Sequence, residues 1–286
     1  MGHGKLRKFA ENETFACLVQ PDGREILADG YSTLRDHPLK GHWFEGSGAP
    51  IVLELGCGRG EYTVELARRH PDINYIGVDI KGARLWSGAK QATQEGLSNV
   101  RFLRTRIELI TAFFAPGEIS EIWLTFSDPQ LGKENARLTS PLFLERYRQF
   151  LAPDGVVHLK TDSRFLHEYT KALCADNGLP ILACTADLYS EHSHSGPHPE
   201  PHTSRQGVFP QRSRAVGDSG SAAGMTIQPE VYEVQTYYER MFLEQGYKIT
   251  YLAFRPGGAT PIVSPASFDK DYWRAAEGPR RTFSHR

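Results

Sequence analysis

Apolar and polar positions alternate along this chain in two different rhythms that take turns. Between residues 51 and 188, short runs rich in β-forming residues give way to longer stretches whose apolar residues recur at helical spacing. "IVLELG" (51–56) predicts a first strand and "EYTVELARRH" a helix after it. "NYIGVDI" (74–80) predicts a second strand, followed by a helix over "KGARLWSGAKQATQEG" that closes at Gly96. "NVRFLRT" (99–105), "EIWLTF" (121–126) and "VVHLKT" (156–161) predict the third, fourth and fifth strands. Between the last two, "SPLFLERYRQFLAPDG" has Thr139 or Ser140 as a helix cap, Pro141 in the first turn and a stop at Pro153. "SRFLHEYTKALCADNG" predicts a helix ending at Gly178, and "PILACTADL" a sixth strand.

Strands that alternate with crossover helices form a parallel sheet covered on both faces. The expected architecture is therefore α/β, a doubly wound Rossmann-like sheet with helices on both faces. The pattern stops at residues 189–229, which are rich in Ser, Gly, Pro and His and read as a flexible, low-complexity insertion. Its histidines, His192, His194, His198 and His202, follow from that composition, and no metal site is expected. Regularity returns with a helix over roughly 230–244 and a strand over 248–254. That strand is expected to pair with residues 180–188, adding an antiparallel edge strand to a mostly parallel sheet. Residues 51–188 and 230–255 then form one domain, residues 1–50 an N-terminal extension with a basic segment, and 256–286 a loosely ordered tail.

Bulk properties narrow the class. The 286 residues suit one large domain with additions, and 40% are hydrophobic, as in soluble globular proteins. No apolar run approaches a membrane span, and "MGHGKLRKFAENETF" has no signal-peptide core, so a cytoplasmic protein is expected. The four cysteines, Cys17, Cys57, Cys174 and Cys184, form no C-x-x-C pair and read as buried thiols. A formal charge of −1 argues against strong non-specific nucleic-acid binding, although a local basic patch can still serve.

In such sheets ligands bind at the carboxyl ends of the strands. "LELGCGRGEY" places Gly56, Gly58 and Gly60 between the first strand and its helix, where backbone N–H groups can approach a ligand. The spacing is G-x-G-x-G, with Glu61 in place of the last glycine of the dinucleotide fingerprint. Glu54 lies inside the motif and would repel a pyrophosphate. Asp79 ends the second strand, where a carboxylate accepts ribose hydroxyls. S-adenosylmethionine has a ribose, an amino-acid moiety and no phosphate, and fits all three features.

Asp128 follows the fourth strand and Asp162 the fifth, so both can face that donor. Thr236 and Glu239, three residues apart, share one helix face. Carboxylates around a methyl donor suit guanine N7: its lone pair is already nucleophilic, and the base becomes cationic after attack. Guanine also offers N–H groups that carboxylates accept. Each position has a plainer reading as well: Asp162 as a helix cap, Thr236 and Glu239 as a solvated face, Asp128 before Pro129 as a turn former.

With these residues in place, the chain resembles the bacterial tRNA (guanine-N7)-methyltransferase family. The likeness runs from about Lys5 to Phe254 outside the insertion, through "KLRKFAE", "LELGCGRGEYTVELARRHPDINYIGVDIKGARLW", "GLSNVRFLRTRIE", "TFSDPQLGK", "RLTSPLFLERYRQFLAPDG", "HLKTDS" and "TYYERMFLEQG". The resemblance implies a methyltransferase sheet, S-adenosylmethionine contacts from Glu54, Gly56, Gly58, Gly60, Asp79 and Asp128, and Asp128 at the reaction centre. It implies substrate contacts from Lys133, Asp162, Thr236 and Glu239, with a guanosine of the tRNA variable loop as the acceptor and a monomer or homodimer as the working form. Three positions depart from the family pattern. Ser127 replaces a proline and is expected to loosen its loop, Gly132 stands where the family has lysine, and Thr105-Arg106 replaces Gly-Asp. RNA contact would then fall to dispersed cations: Lys5, Arg7, Lys8, Lys81, Arg84, Arg104, Lys133, Arg137, Arg280 and Arg281. A methyltransferase of a small molecule or protein, and a non-catalytic cofactor-binding subunit, are the alternatives.

Overall fold

Among the described residues of this computed structural model, eight strands form one sheet that draws on both halves of the chain. The structure describes residues 3–28, 33–192 and 227–277. The N-terminal part contains α1 (His3–Asn12), β1 (Leu18–Val19), α2 (Gly23–Ile26), β2 (Leu27–Ala28) and β3 (Thr33–Leu34). The alternating region follows as β4 (Ile51–Leu55), α3 (Glu61–Arg69), β5 (Asn74–Asp79), α4 (Gly82–Gln94), β6 (Val100–Arg104) and β7 (Ile119–Thr125). It continues with α5 (Pro141–Tyr147), β8 (Leu151–Thr161), α6 (Arg164–Asp176), β9 (Ile181–Thr185) and α7 (Leu188–His192). After the insertion come α8 (Pro229–Glu233), α9 (Tyr237–Glu244), β10 (Thr250–Phe254) and α10 (Lys270–Glu277).

The strand order is β1-β6-β5-β4-β7-β8-β10-β9. All pairings are parallel except those of β10, which runs antiparallel to both β8 and β9. The antiparallel strand thus lies at the expected side of the sheet, pairing with 181–185 as its spacing predicted. The chain winds outward in both directions from β4, so the crevice rule points to the carboxyl ends of β4, β5 and β7. β4 and β5 are buried at every position, as a strand covered on both faces must be. Leu53, Leu55, Ile76, Val78, Ile122 and Leu124 pack with Phe143 and Leu166 on one face. Val52, Tyr75, Phe102 and Trp123 pack with Leu66 and Leu85 on the other.

Four expectations change. The helix over 230–244 is two helices, because Val234 and Thr236 adopt extended backbone (ψ 106° and 163°). Thr236 caps the second helix by accepting from Glu239 N, and the freed carbonyl of Val234 accepts from Lys160. The fifth strand begins at Leu151 and runs through Pro153, with a register shift against β7 that admits the extra residues. The N-terminal extension contributes β1 to the sheet itself. The tail is not loose over 256–277: Arg148 donates to the carbonyls of Pro256 and Thr260, and Phe268 packs edge-on against Phe165 and Tyr169. Its last helix, α10, caps α6 through Glu277 Oε2, which accepts from Phe165 N at 2.9 Å. Most of the stretch read as an insertion, with His194, His198 and His202, lies outside the described residues, as do Arg280 and Arg281. No helix among the described residues is long and apolar enough to cross a membrane.

Candidate active site

Glu54 sits within β4, two residues before Gly56 of the glycine loop. Its carboxylate is buried beneath the loop, with Oε2 accepting from Thr63 N at 3.0 Å and from Thr63 Oγ1, and Oε1 accepting from Thr125 Oγ1. Burial pushes the carboxyl group up to about 7, against the downward pull of the two threonine hydroxyls. The nearby charge of Asp79 raises it further.

Gly56, Gly58 and Gly60 all have left-handed backbone, with φ of 80°, 57° and 72°. Gly60 is also a close-packing position, since a Cβ there would stand 2.5 Å from the Phe102 ring and 3.3 Å from Gly88 Cα. Only glycine lets α3 begin so close to α4 and β6. Asp79 completes the loop from β5. Its Oδ2 accepts from Gly58 N at 3.0 Å and its Oδ1 from Lys81 N at 2.7 Å, so the acid and the glycine loop are held as one unit.

Asp128 emerges at the end of β7 and is exposed. Its Oδ1 accepts from Gln130 N at 2.9 Å. The residues two before and two after it, Phe126 (φ 52°) and Gln130 (φ 48°), are the non-glycine residues with left-handed backbone among the described residues. Such positions cost about 1–3 kcal/mol each and persist only where surrounding contacts impose them. The contacts are visible here. Phe126 stacks on Phe242 of α9, with ring centroids 5.9 Å apart. Arg137 donates from Nε to Pro129 O at 2.8 Å and from Nη2 to Gln130 O at 3.1 Å, while its guanidinium lies 4.1 Å from the Tyr169 ring centroid. Arg274 of α10 donates to Leu131 O.

One expectation changes at this loop. Arg137, expected as one of the dispersed outward cations, is 2% exposed and braces the loop from within. Ser127, expected to loosen the loop, is followed by two carbonyls that Arg137 holds, those of Pro129 and Gln130. Lys133 remains exposed beside Gly132, which has open space around it.

Asp162 follows β8 and is half-buried. It is not the cap of α6; Ser163 is, accepting from Leu166 N at 3.1 Å. Glu239 is not on a solvated face. It is wholly buried, with Lys160 Nζ 2.7 Å from Oε1 and the Tyr189 hydroxyl donating to the same oxygen at 2.6 Å. Its other oxygen, Oε2, is buried and has no hydrogen-bond partner. Burial raises Glu239 and lowers Lys160, and each group's charge opposes the shift of the other. Thr236, half-buried at the start of α9, holds Glu239 through its backbone.

Comparison with known proteins places this arrangement. A family model described as "Putative methyltransferase" matches residues 48–202. The chain is 45% identical over 260 residues to a tRNA (guanine-N(7)-)-methyltransferase of Bacteroides thetaiotaomicron, covering 89% of this chain and 86% of that protein. It is 45% identical over 257 residues to the protein of that name from Christiangramia forsetii, covering 88% and 97%. Among solved structures, a 16S rRNA methyltransferase aligns at 16% identity and a TM-score of 0.48, covering 72% of this chain and 86% of that one.

The chain belongs to the tRNA (guanine-N7)-methyltransferase family.

In this family member, Asp79 holds Gly58 of the glycine loop, while Glu54 joins Thr63 of α3 to Thr125, the last residue of β7 and three before Asp128. Phe126 N donates to Lys160 O at 2.9 Å, linking the Asp128 loop to the strand that carries Lys160 and leads to Asp162. Arg106 is exposed and lies 3.5 Å from Glu108. Sequence reading missed Lys160, Tyr189 and the bracing role of Arg137. Lys160 in the strand run "VVHLKT" is a usable signal, because a lysine in a strand covered on both faces needs a partner. Nothing in the local pattern marks the other two.

Proposed function

We propose that this protein transfers a methyl group from S-adenosylmethionine to N7 of a guanosine in the tRNA variable loop. The observation that supports this most is the extent of likeness to proteins carrying that activity in their names, over 89% of the chain. The site residues suit the donor. Glu54 and Asp79 offer acceptors for an ammonium group and ribose hydroxyls, and a cation arriving above Glu54 favours the ionised form that burial disfavours. Bound S-adenosylmethionine would supply an electrophilic methyl group on sulfonium.

The chain's own groups then have distinct tasks. Guanine N7 needs no strong base, so Asp128 acts by charge: its exposed carboxylate stabilises the positive charge that the base acquires. The strained, braced loop holds that carboxylate in place before the base arrives. Glu239 Oε2, buried and without a partner, is an acceptor for N–H groups on the Watson–Crick edge of the base. Asp162, just after β8, and Thr236, which caps α9, are assigned to the same acceptor, and exposed Lys133 to a phosphate. A guanosine in a loop or turned out of a stack is the kind of RNA target such a recess can take. The protein would act in the cytoplasm as a monomer or homodimer.

The test incubates the purified protein with S-adenosylmethionine and unmodified tRNA, then digests the tRNA and analyses its nucleosides by mass spectrometry. The expected product is 7-methylguanosine. Protein that binds the donor yet forms none would refute the reading.

A further inference from the structure

A groove of about 770 Å³ lies beside the glycine loop, between α1, the start of α4 and the start of α9. Six cations line it: Lys5, Lys8, Arg59, Lys81, Arg84 and Arg104. Among the described residues no carboxylate does. The whole chain carries 33 basic and 34 acidic residues, so this concentration of one sign is a local segregation.

The way these cations are held sets them apart. Several arginines elsewhere on the surface are neutralised by carboxylates: Arg68 by Glu65 and Glu95, Arg69 by Glu65 and Glu233, Arg164 by Glu168. In the groove, Lys5, Lys8, Arg59, Lys81 and Arg104 make no ion pair among the described residues. Four of them lie over aromatic faces instead: Lys8 over Trp86 at 4.5 Å, Arg104 over Phe9 at 5.2 Å, Arg59 over Tyr237 at 5.4 Å and Lys5 over Phe9 at 5.9 Å. An aromatic face orients a cation without cancelling its charge, so the field in the groove stays positive. Low-dielectric walls concentrate such a field.

The groove also adjoins the proposed base pocket. Tyr238 lines it and immediately precedes Glu239 on α9, so one helix turn faces both places. Tyr237 N donates to Glu61 Oε2 at 2.7 Å, which fixes that turn against the glycine loop.

We propose that this groove docks the RNA phosphate backbone next to the target nucleotide, with Tyr238 as a stacking surface for a neighbouring base; the proposal rests on tRNA being the substrate. A concave cationic channel with a half-buried aromatic ring in its wall is a form that single-stranded nucleic acid fits. Arg59 joins the set from the glycine loop itself, so RNA docking and donor binding share a structural element. An overall charge near zero is then compatible with RNA binding, because contact is confined to one channel.

The test measures tRNA binding by fluorescence anisotropy from 50 to 300 mM NaCl for Lys5→Glu, Lys8→Glu, Arg104→Glu and their alanine counterparts. Lys171→Glu, exposed on α6, is the control. Donor affinity by calorimetry and the melting temperature report on integrity, and the alanine set decides wherever a reversal lowers the melting temperature. Each groove variant should weaken tRNA binding several-fold at 100 mM salt, with the log–log salt slope falling by about 0.8 per lost contact. Donor affinity should hold, and kcat at saturating tRNA should fall less than twofold. Tyr238→Ala should weaken binding with an unchanged salt slope, and Tyr238→Phe should restore it. Wild-type affinity and slope in folded groove variants would overturn the proposal. So would loss of affinity for phosphatidylglycerol vesicles with tRNA binding intact, which would assign the groove to a membrane surface. These binding readouts need no product, so they fail separately from the nucleoside assay.

Discussion

Lys160 Nζ lies 2.7 Å from Glu239 Oε1, and neither side chain reaches solvent. The pair joins β8 to α9 and thereby places the carboxylate that is proposed to read the base. A buried ion pair of this kind contributes less to net stability than to placement, because desolvation of both charges offsets their attraction. Removing one partner is different, since it strands a buried charge.

Lys160→Met should therefore destabilise the protein by about 3–5 kcal/mol. Lys160→Met/Glu239→Gln should recover a large part of that loss. Urea denaturation of the two single variants and the double variant measures the coupling. Strictly additive losses would mean that the pair does not act as a unit.

Glu54 should impose a pH dependence on both stability and donor binding. Its folded carboxyl group titrates at about 7 and its free value is 4.5, so the folded state holds the proton more tightly. The stabilisation is complete below the free value and is lost as pH rises through 7, by an amount on the order of 3 kcal/mol. The difference in urea midpoint between wild type and Glu54→Gln, followed from pH 5 to 8, isolates this contribution. Donor binding should tighten over the same range in wild type, as the ionised carboxylate meets the ammonium group. It should be flat in Glu54→Gln by calorimetry.

Asp128→Ala should lower kcat about a hundredfold or more, the scale for losing one group aimed at developing charge. The side chain is exposed, so stability should change by only about 0.5 kcal/mol. Asp128→Asn keeps an acceptor for Gln130 N and removes the charge. If the asparagine variant retained wild-type kcat, the carboxylate would be a turn former and nothing more.

Arg137→Lys and Lys133→Ala should separate bracing from RNA contact. Lysine cannot reproduce the two carbonyl contacts and the stacking of Arg137, so that variant should lose about 1–3 kcal/mol of stability and some kcat. Its salt dependence of tRNA binding should equal that of wild type. Lys133→Ala should do the reverse, leaving stability alone and lowering the salt slope by about 0.8. Steady-state kinetics and anisotropy on the two variants distinguish them.

The sequence by itself determined the alternating strands and helices, the glycine loop, and the strand ends that carry Asp79, Asp128 and Asp162. All of these are local: periodicity, turn residues and a residue's place at the end of a run are written in adjacent positions. It also narrowed the cap of α5 to Thr139 or Ser140, of which Ser140 is the one, and placed Gly96 and Gly178 as helix stops, because capping is decided within one turn. The tertiary structure alone decided that Glu239 faces inward, that Arg137 grips the Asp128 loop, and that Arg274 and Glu277 secure that loop and α6 from the far end of the chain. Each of these joins residues far apart in sequence, where no period or spacing connects the partners. The same reason pairs Arg68, Arg69 and Arg164 with carboxylates and gathers six other cations in one groove. Composition counts charges, but only the fold decides which of them are left facing a polyanion.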